Sequence, residues 1–128
     1  MNRIISISLI VAAVSASSVL PIQPAVSHHS FAMFDRTKEV TLVGTVKSFE
    51  WTNPHSWLQV VVRDARGGTK EYSIEMGSPN TMSRSGWRKT TFKPGDRVTV
   101  KMNPMRDGAA GGAFVSAVNA EGKTLPLN

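Results

Sequence analysis

The sequence predicts a small, mostly β domain: a five-stranded barrel with one short helix between its third and fourth strands. Stretches rich in alternating apolar and β-branched residues recur at 40–51, 57–64, 70–75, 97–102 and 112–119, each bounded by Gly, Pro, Asn or Asp. The first of these is long and contains Gly44, as expected of a strand bent to serve two sheets. Helix punctuation occurs at 77–86, between the third and fourth stretches.

Ahead of the strands, Arg3 precedes an apolar run at 4–19 that is broken only by serines, and small residues follow at 21–27. This pattern reads as a cleavable secretory signal over 1–27. A membrane anchor is the competing reading, since the run approaches bilayer-spanning length. The serines that dilute it, and the prolines that follow at once, favour cleavage. The small-x-small rule places the cut after Ser27, with Ala25 three residues before the new terminus. The mature domain is then 28–128, periplasmic and roughly a hundred residues long, enough for one modest core. In its opening segment, Phe31 and Phe34 are expected to anchor the chain to the barrel, each worth about 1.5–3 kcal/mol when buried.

In the first strand Val40, Leu42 and Val46 fall on one face and Thr41, Val43, Thr45 and Phe49 on the other, with a bulge or kink expected at Gly44. Glu50-Trp51-Thr52-Asn53-Pro54-His55 follows. Asn-Pro favours a turn and excludes the helical region before proline, so this is a corner with His55 at the start of the next strand. In the second strand Leu58, Val60 and Val62 alternate with Trp57, Gln59, Val61 and Arg63; Arg66-Gly67-Gly68 makes a hairpin turn, and the third strand returns with Tyr72 and Ile74 inward. Ser78 caps the helix, Pro79 takes its first position and Gly86 closes it. Lys93-Pro94-Gly95-Asp96 is a turn into the fourth strand, where Val98 and Val100 point inward. A flexible loop is expected at 103–112, then a fifth strand, a turn at Glu121-Gly122, and a short strand or tail at 123–127. Three strands, a helix and two strands is the element order of an oligonucleotide/oligosaccharide-binding (OB) barrel. A β-sandwich needs about seven strands, for which the chain lacks room.

The chain has no cysteine, so stability must come from packing or a bound ligand. Its net charge of +6 is dispersed, without a run of five like charges, which reads as a solvated surface and not as an anion-binding face. The expected partners are a metal ion, a small ligand or another periplasmic protein. Neither nucleic acid nor stable membrane insertion after cleavage is expected of such an exported chain.

The strings His28-His29-Ser30-Phe31-Ala32, Val43-Gly44-Thr45-Val46, Trp51-Thr52-Asn53-Pro54-His55-Ser56-Trp57, Glu75-Met76-Gly77-Ser78-Pro79-Asn80, Arg84-Ser85-Gly86-Trp87 and Lys93-Pro94-Gly95-Asp96 span nearly all of the mature chain. Together they resemble a family of small exported proteins of Gram-negative bacteria, catalogued as a domain of unknown function. The resemblance implies export and a small β-barrel and brings no activity with it. Where family members commonly carry Ala at the end of the signal, this chain has Ser27.

Chemistry concentrates in three histidines. With a cut after Ser27, the α-amine and imidazole of His28, joined by His29 or His55, would form a nitrogen set suited to Cu(II). A cut after Ala25 would instead place His28 third from a free amine, which also binds Cu(II) or Ni(II). The bland alternative is a solvated start and a corner histidine bonded to a carbonyl. A closed zinc site would have to recruit Glu50 or Asp35 and ranks below copper. Thioethers suit Cu(I), and Met102 and Met105 flank the predicted loop, although core filling is the commoner role of methionine. Trp57 and Trp87 are expected in the core, with Trp51 more open at its corner. A second reading has no metal: Trp51 and Trp57, with Glu50, Asn53 and Arg84, bind an organic ligand or a protein. No nucleophile elbow, metalloprotease helix or phosphate loop is present, and no catalytic residue is assigned.

Overall fold

Alternating residues bury one face of a strand, and in the first strand that face changes partner half-way along. In a computed structural model that describes residues 31–125, β1 (Val40–Glu50) pairs with β4 (Arg97–Pro104) from Val40 to Thr45 and with β2 (Trp57–Arg63) from Thr45 to Glu50, both antiparallel. Gly44 lies at the changeover. A Cβ there would fall 2.5 Å from the Val61 carbonyl oxygen and 2.8 Å from a Val60 methyl, so glycine lets β1 pass close over β2. The bulge is not at Gly44 but at Lys47, where the β1–β2 register shifts between Val46 and Ser48. One extra residue inverts the alternation. Leu42 and Val46 are buried from even positions, whereas beyond Lys47 it is Phe49 that turns to the core, opposite to the face the plain alternation assigns it.

β3 (Thr69–Glu75) follows β2 through a turn tied by Asp64, whose carboxylate accepts the N–H groups of Arg66 and Gly68. β4 then leads to β5 (Gly111–Asn119) and β6 (Thr124–Leu125). The sheet order is β3-β2-β1-β4-β5-β6, and a parallel pairing of β3 with β5, from Ser73–Gly111 to Glu75–Ala113, closes five strands into a barrel of the OB type. Glycines make this seam: a Cβ at Gly111 would sit 2.5 Å from the Ser73 carbonyl oxygen, and one at Gly112 would collide with that of Asn103. Inside lie Leu58, Val60, Ile74, Val98, Val100, Met102 and Ala117, each 3% exposed or less.

One end is plugged by α1 (Pro79–Arg84) and the connection after it. Ser78 caps the helix through its side chain to the Thr81 N–H at 3.3 Å, and Pro79 starts it. The helix ends at Ser85 and Gly86, with Gly86 at φ 87, where a side chain would be strained. Met82 reaches into the core beside Trp87 and Phe92, and the Trp87 ring lies 5.5 Å from Phe92 and 5.4 Å from Phe114.

The segment before β1 forms a strap. A single 3-10 turn, Phe31–Met33, leads to the buried Phe34, which forms an isolated antiparallel bridge with Met105. The Asp35 N–H donates to Pro104 O at 2.8 Å, the Arg106 N–H to Met33 O at 2.9 Å and Arg106 Nε to Ala32 O at 3.0 Å. This docking shortens the loop expected at 103–112: Asn103 and Pro104 belong to β4 and pair with Ala113 and Gly112. Met102 therefore does not flank a loop; it is core, 2% exposed.

Candidate functional site

The corner is built from its own short side chains and from the segment that follows β3. Trp51 is half-buried, with its ring 5.6 Å from Phe49 in an edge-on contact. The Thr52 hydroxyl donates to His55 O at 3.0 Å across the Asn53–Pro54 turn, whose peptide bond is cis. Ser56, fully buried, donates its N–H to Gly77 O and accepts from the Met76 N–H, both at 2.9 Å. These bonds hold His55 against the end of β3. There its Nδ1 lies 2.6 Å from Oε1 of Glu75, with the two side chains 30% and 12% exposed. At this distance the carboxylate and the ring are in direct contact, a pairing that is ionic when the imidazole is protonated.

Two clefts meet at Glu75. The first, of about 430 Å³, is lined by Arg36, His55, Glu75, Trp87 and Asn103, with Phe34 from the strap. The second, of about 230 Å³, runs along the outside of β2 and β3 below the β4–β5 loop and is lined by Met33, Trp57, Glu75, Met105 and Gly111, again with Phe34. Phe34 and Glu75 are walls of both. Next to them Asp35 accepts the Thr37 hydroxyl at 2.6 Å and lies 3.2 Å from Lys38 Nζ; these contacts, Thr37 first, hold its carboxyl down at about 2.

The residues singled out in the sequence are thus distributed unevenly. His55 lines the first cleft and Trp57 the second. Trp57 is half-buried on the outer face and is not the core residue its size suggested, because Leu58 and Val60 take the inward positions of β2. Glu50, Trp57 and Glu75 are lateral neighbours across β1, β2 and β3. Glu50 is exposed, as are Asn53 at the corner and Arg84 at the end of α1, and none of the three lines either cleft. His28 and His29, and the leader read over 1–27, lie outside the described residues. Sequence reasoning missed the His55–Glu75 partnership and the meeting of Met33 with Met105. The first was accessible from the adjacency of hairpin strand ends. The second needed the strap, which no periodicity announces. Among the described residues no cluster of three His, Cys, Asp or Glu stands ready for a metal ion.

A family model described as "Family of unknown function (DUF6152)" matches residues 15–115. The chain belongs to this family. No curated protein matches the sequence. Among solved structures, the mitochondrial single-stranded DNA binding protein Rim1 of S. cerevisiae is similar at 15% identity and a TM-score of 0.48, over 65% of this chain and 94% of that one, a likeness that carries no functional weight. For this member of the family, chemistry has to be argued from its own clefts.

Proposed function

We propose that this protein is an exported, periplasmic binding module whose first cleft takes Cu(II) for carriage or buffering, through His55 and the histidines His28 and His29. The supporting observation is the placement of Phe34 in the same cleft as the His55–Glu75 pair. The segment that carries His28 and His29 joins the barrel on the side where the corner imidazole is presented. Four residues separate His29 from Phe34, three of them in the Phe31–Met33 turn, so the two histidines lie close in sequence to a wall of this cleft. Glu75 would orient His55 through Nδ1, and Nε2 would be the ligand atom. A carboxylate–imidazole pair of this kind both fixes the ring and raises its basicity toward a metal. Imidazole and amine nitrogens suit Cu(II) above other divalent first-row ions.

The test is a Cu(II) titration of the purified chain, with its first residue established by mass spectrometry. Sub-micromolar binding that falls at least tenfold in His55→Gln and in His28→Ala is the expected result. Affinity no greater than that of a His-His peptide, or insensitivity to His55→Gln, would defeat the reading.

The second cleft supports a different reading, in which Trp57 and the β4–β5 loop bind an organic ligand and the histidines are structural. Its apolar lining on the outside of β2 and β3 is the observation in favour. A ligand that quenches tryptophan fluorescence equally with and without a chelator would select it.

A further inference from the structure

The second cleft contains the two methionines that the core does not use. Met76, Met82 and Met102 are 2–6% exposed and packed among core side chains, the ordinary work of methionine. Met33, by contrast, is 39% exposed at the mouth of the cleft, and Met105 is half-buried on its wall.

Their backbones are clamped together although 72 positions of sequence separate them. Phe34 and Met105 form the antiparallel bridge, the Arg106 N–H donates to Met33 O at 2.9 Å, and the Met105 N–H donates to Gly111 O at 3.1 Å. Around the two side chains the wall is mostly apolar: Phe34, the Trp57 indole, and Ala109, Ala110 and the seam glycines. Glu75 is the acidic side chain that reaches this cleft.

A thioether is a soft, uncharged donor and a poor hydrogen-bond acceptor. A pair of them in an apolar cleft offers little to Zn(II), Mg(II) or Ca(II), which seek nitrogen or oxygen, but suits a soft monovalent ion. We propose that Met33 and Met105 form a Cu(I)-binding site in the second cleft, separate from the imidazole cleft and divided from it by the Phe34 and Glu75 side chains. The naming of copper as the physiological ion rests on the reading above. The thioether site itself rests on the placement of the two methionines. No electron transfer is part of the proposal: each cleft takes the oxidation state it is offered.

The experiment uses Ag(I), a redox-inert ion of the same softness as Cu(I), with the purified chain labelled at the methionine methyl carbons. The expected result is a shift of the Met33 and Met105 methyl signals at one equivalent of Ag(I), with those of Met76, Met82 and Met102 unmoved. Trp57 fluorescence should be quenched in parallel. The volume-conserving double variant Met33→Leu/Met105→Leu should lose at least tenfold in Ag(I) affinity and stay within twofold of the parent for Cu(II). His55→Gln should do the reverse. Competition with a Cu(I) chelator should then reproduce the Ag(I) ranking. Ag(I) affinity unchanged in the double Leu variant, or removed by His55→Gln without any methyl shift, overturns the thioether site and leaves the Cu(II) reading intact. Methyl shifts in a chain that does not bind Cu(II) overturn that reading and uphold this site.

Discussion

The two clefts share a phenylalanine and a glutamate yet present opposite chemistry. On the α1 side of that wall the candidate ligand atom is the imidazole nitrogen of His55, with Arg36 and Asn103 beside it; on the strap side the candidates are the sulfurs of Met33 and Met105. The difference comes from how each group is brought in. His55 is positioned by a local corner and a hairpin, within about twenty residues of its partner Glu75. The sulfurs are brought together by a long-range bridge between the strap and the end of β4. Imidazole nitrogen and thioether sulfur are therefore kept apart by the fold, not by the sequence neighbourhood.

The harshest way to break the comparison is to remove the common wall. Phe34 is 5% exposed, so Phe34→Ala should cost about 3–5 kcal/mol of stability. It should also release the strap, so that urea unfolding shifts and both Cu(II) and Ag(I) binding weaken together. A finer cut is Glu75→Gln, which keeps the shape and removes the carboxylate that orients His55. Loss of such an orienting partner typically lowers metal affinity about 10–100-fold. Cu(II) titration should show that loss, while Ag(I) binding stays within about threefold; equal losses would mean that the clefts are one site.

The smallest effect concerns Asp35, at the root of the strap. Its carboxyl is lowered from 3.8 to about 2 by the Thr37 hydroxyl and Lys38, so the stabilisation it provides is present above pH 4 and is lost as pH falls toward 2. Being near the surface, this contribution should shrink with salt. Amide exchange at Asp35 and Arg106, whose N–H groups tie the strap to the β4–β5 end, should accelerate over that pH window in the parent, after correction for the intrinsic rate. In Asp35→Asn the window should vanish.

Much of the barrel could be read in advance because its signals are local. The alternation of Leu58 and Val60, the Ser78 cap, Pro79 and the Lys93-Pro94-Gly95-Asp96 turn act within a few residues, and the structure keeps each of them. What escaped is long-range. The parallel β3–β5 seam, the strap over Met105 and the place of the bulge depend on which strands meet. Gly44 was a reasonable place to expect a bulge, yet it proved to mark a close strand crossing. At the site, His55 and Trp57 were visible by residue type, whereas the distance of His55 to Glu75 was a matter of strand register.

The extra residue at Lys47 gives β1 a phase, much as a reading frame has one. Replacing Lys47 would alter one exposed side chain and its contact with Glu71. Deleting it would leave a plain strand in which Ser48, Phe49 and Glu50 keep Gln59, Leu58 and Trp57 as partners and Phe49 still faces the core, whereas adding one more residue between Val46 and Phe49 would carry Phe49 round to the solvent. Deletion of Lys47 should therefore be tolerated far better than insertion of a residue beside it, which thermal unfolding of the two variants would show.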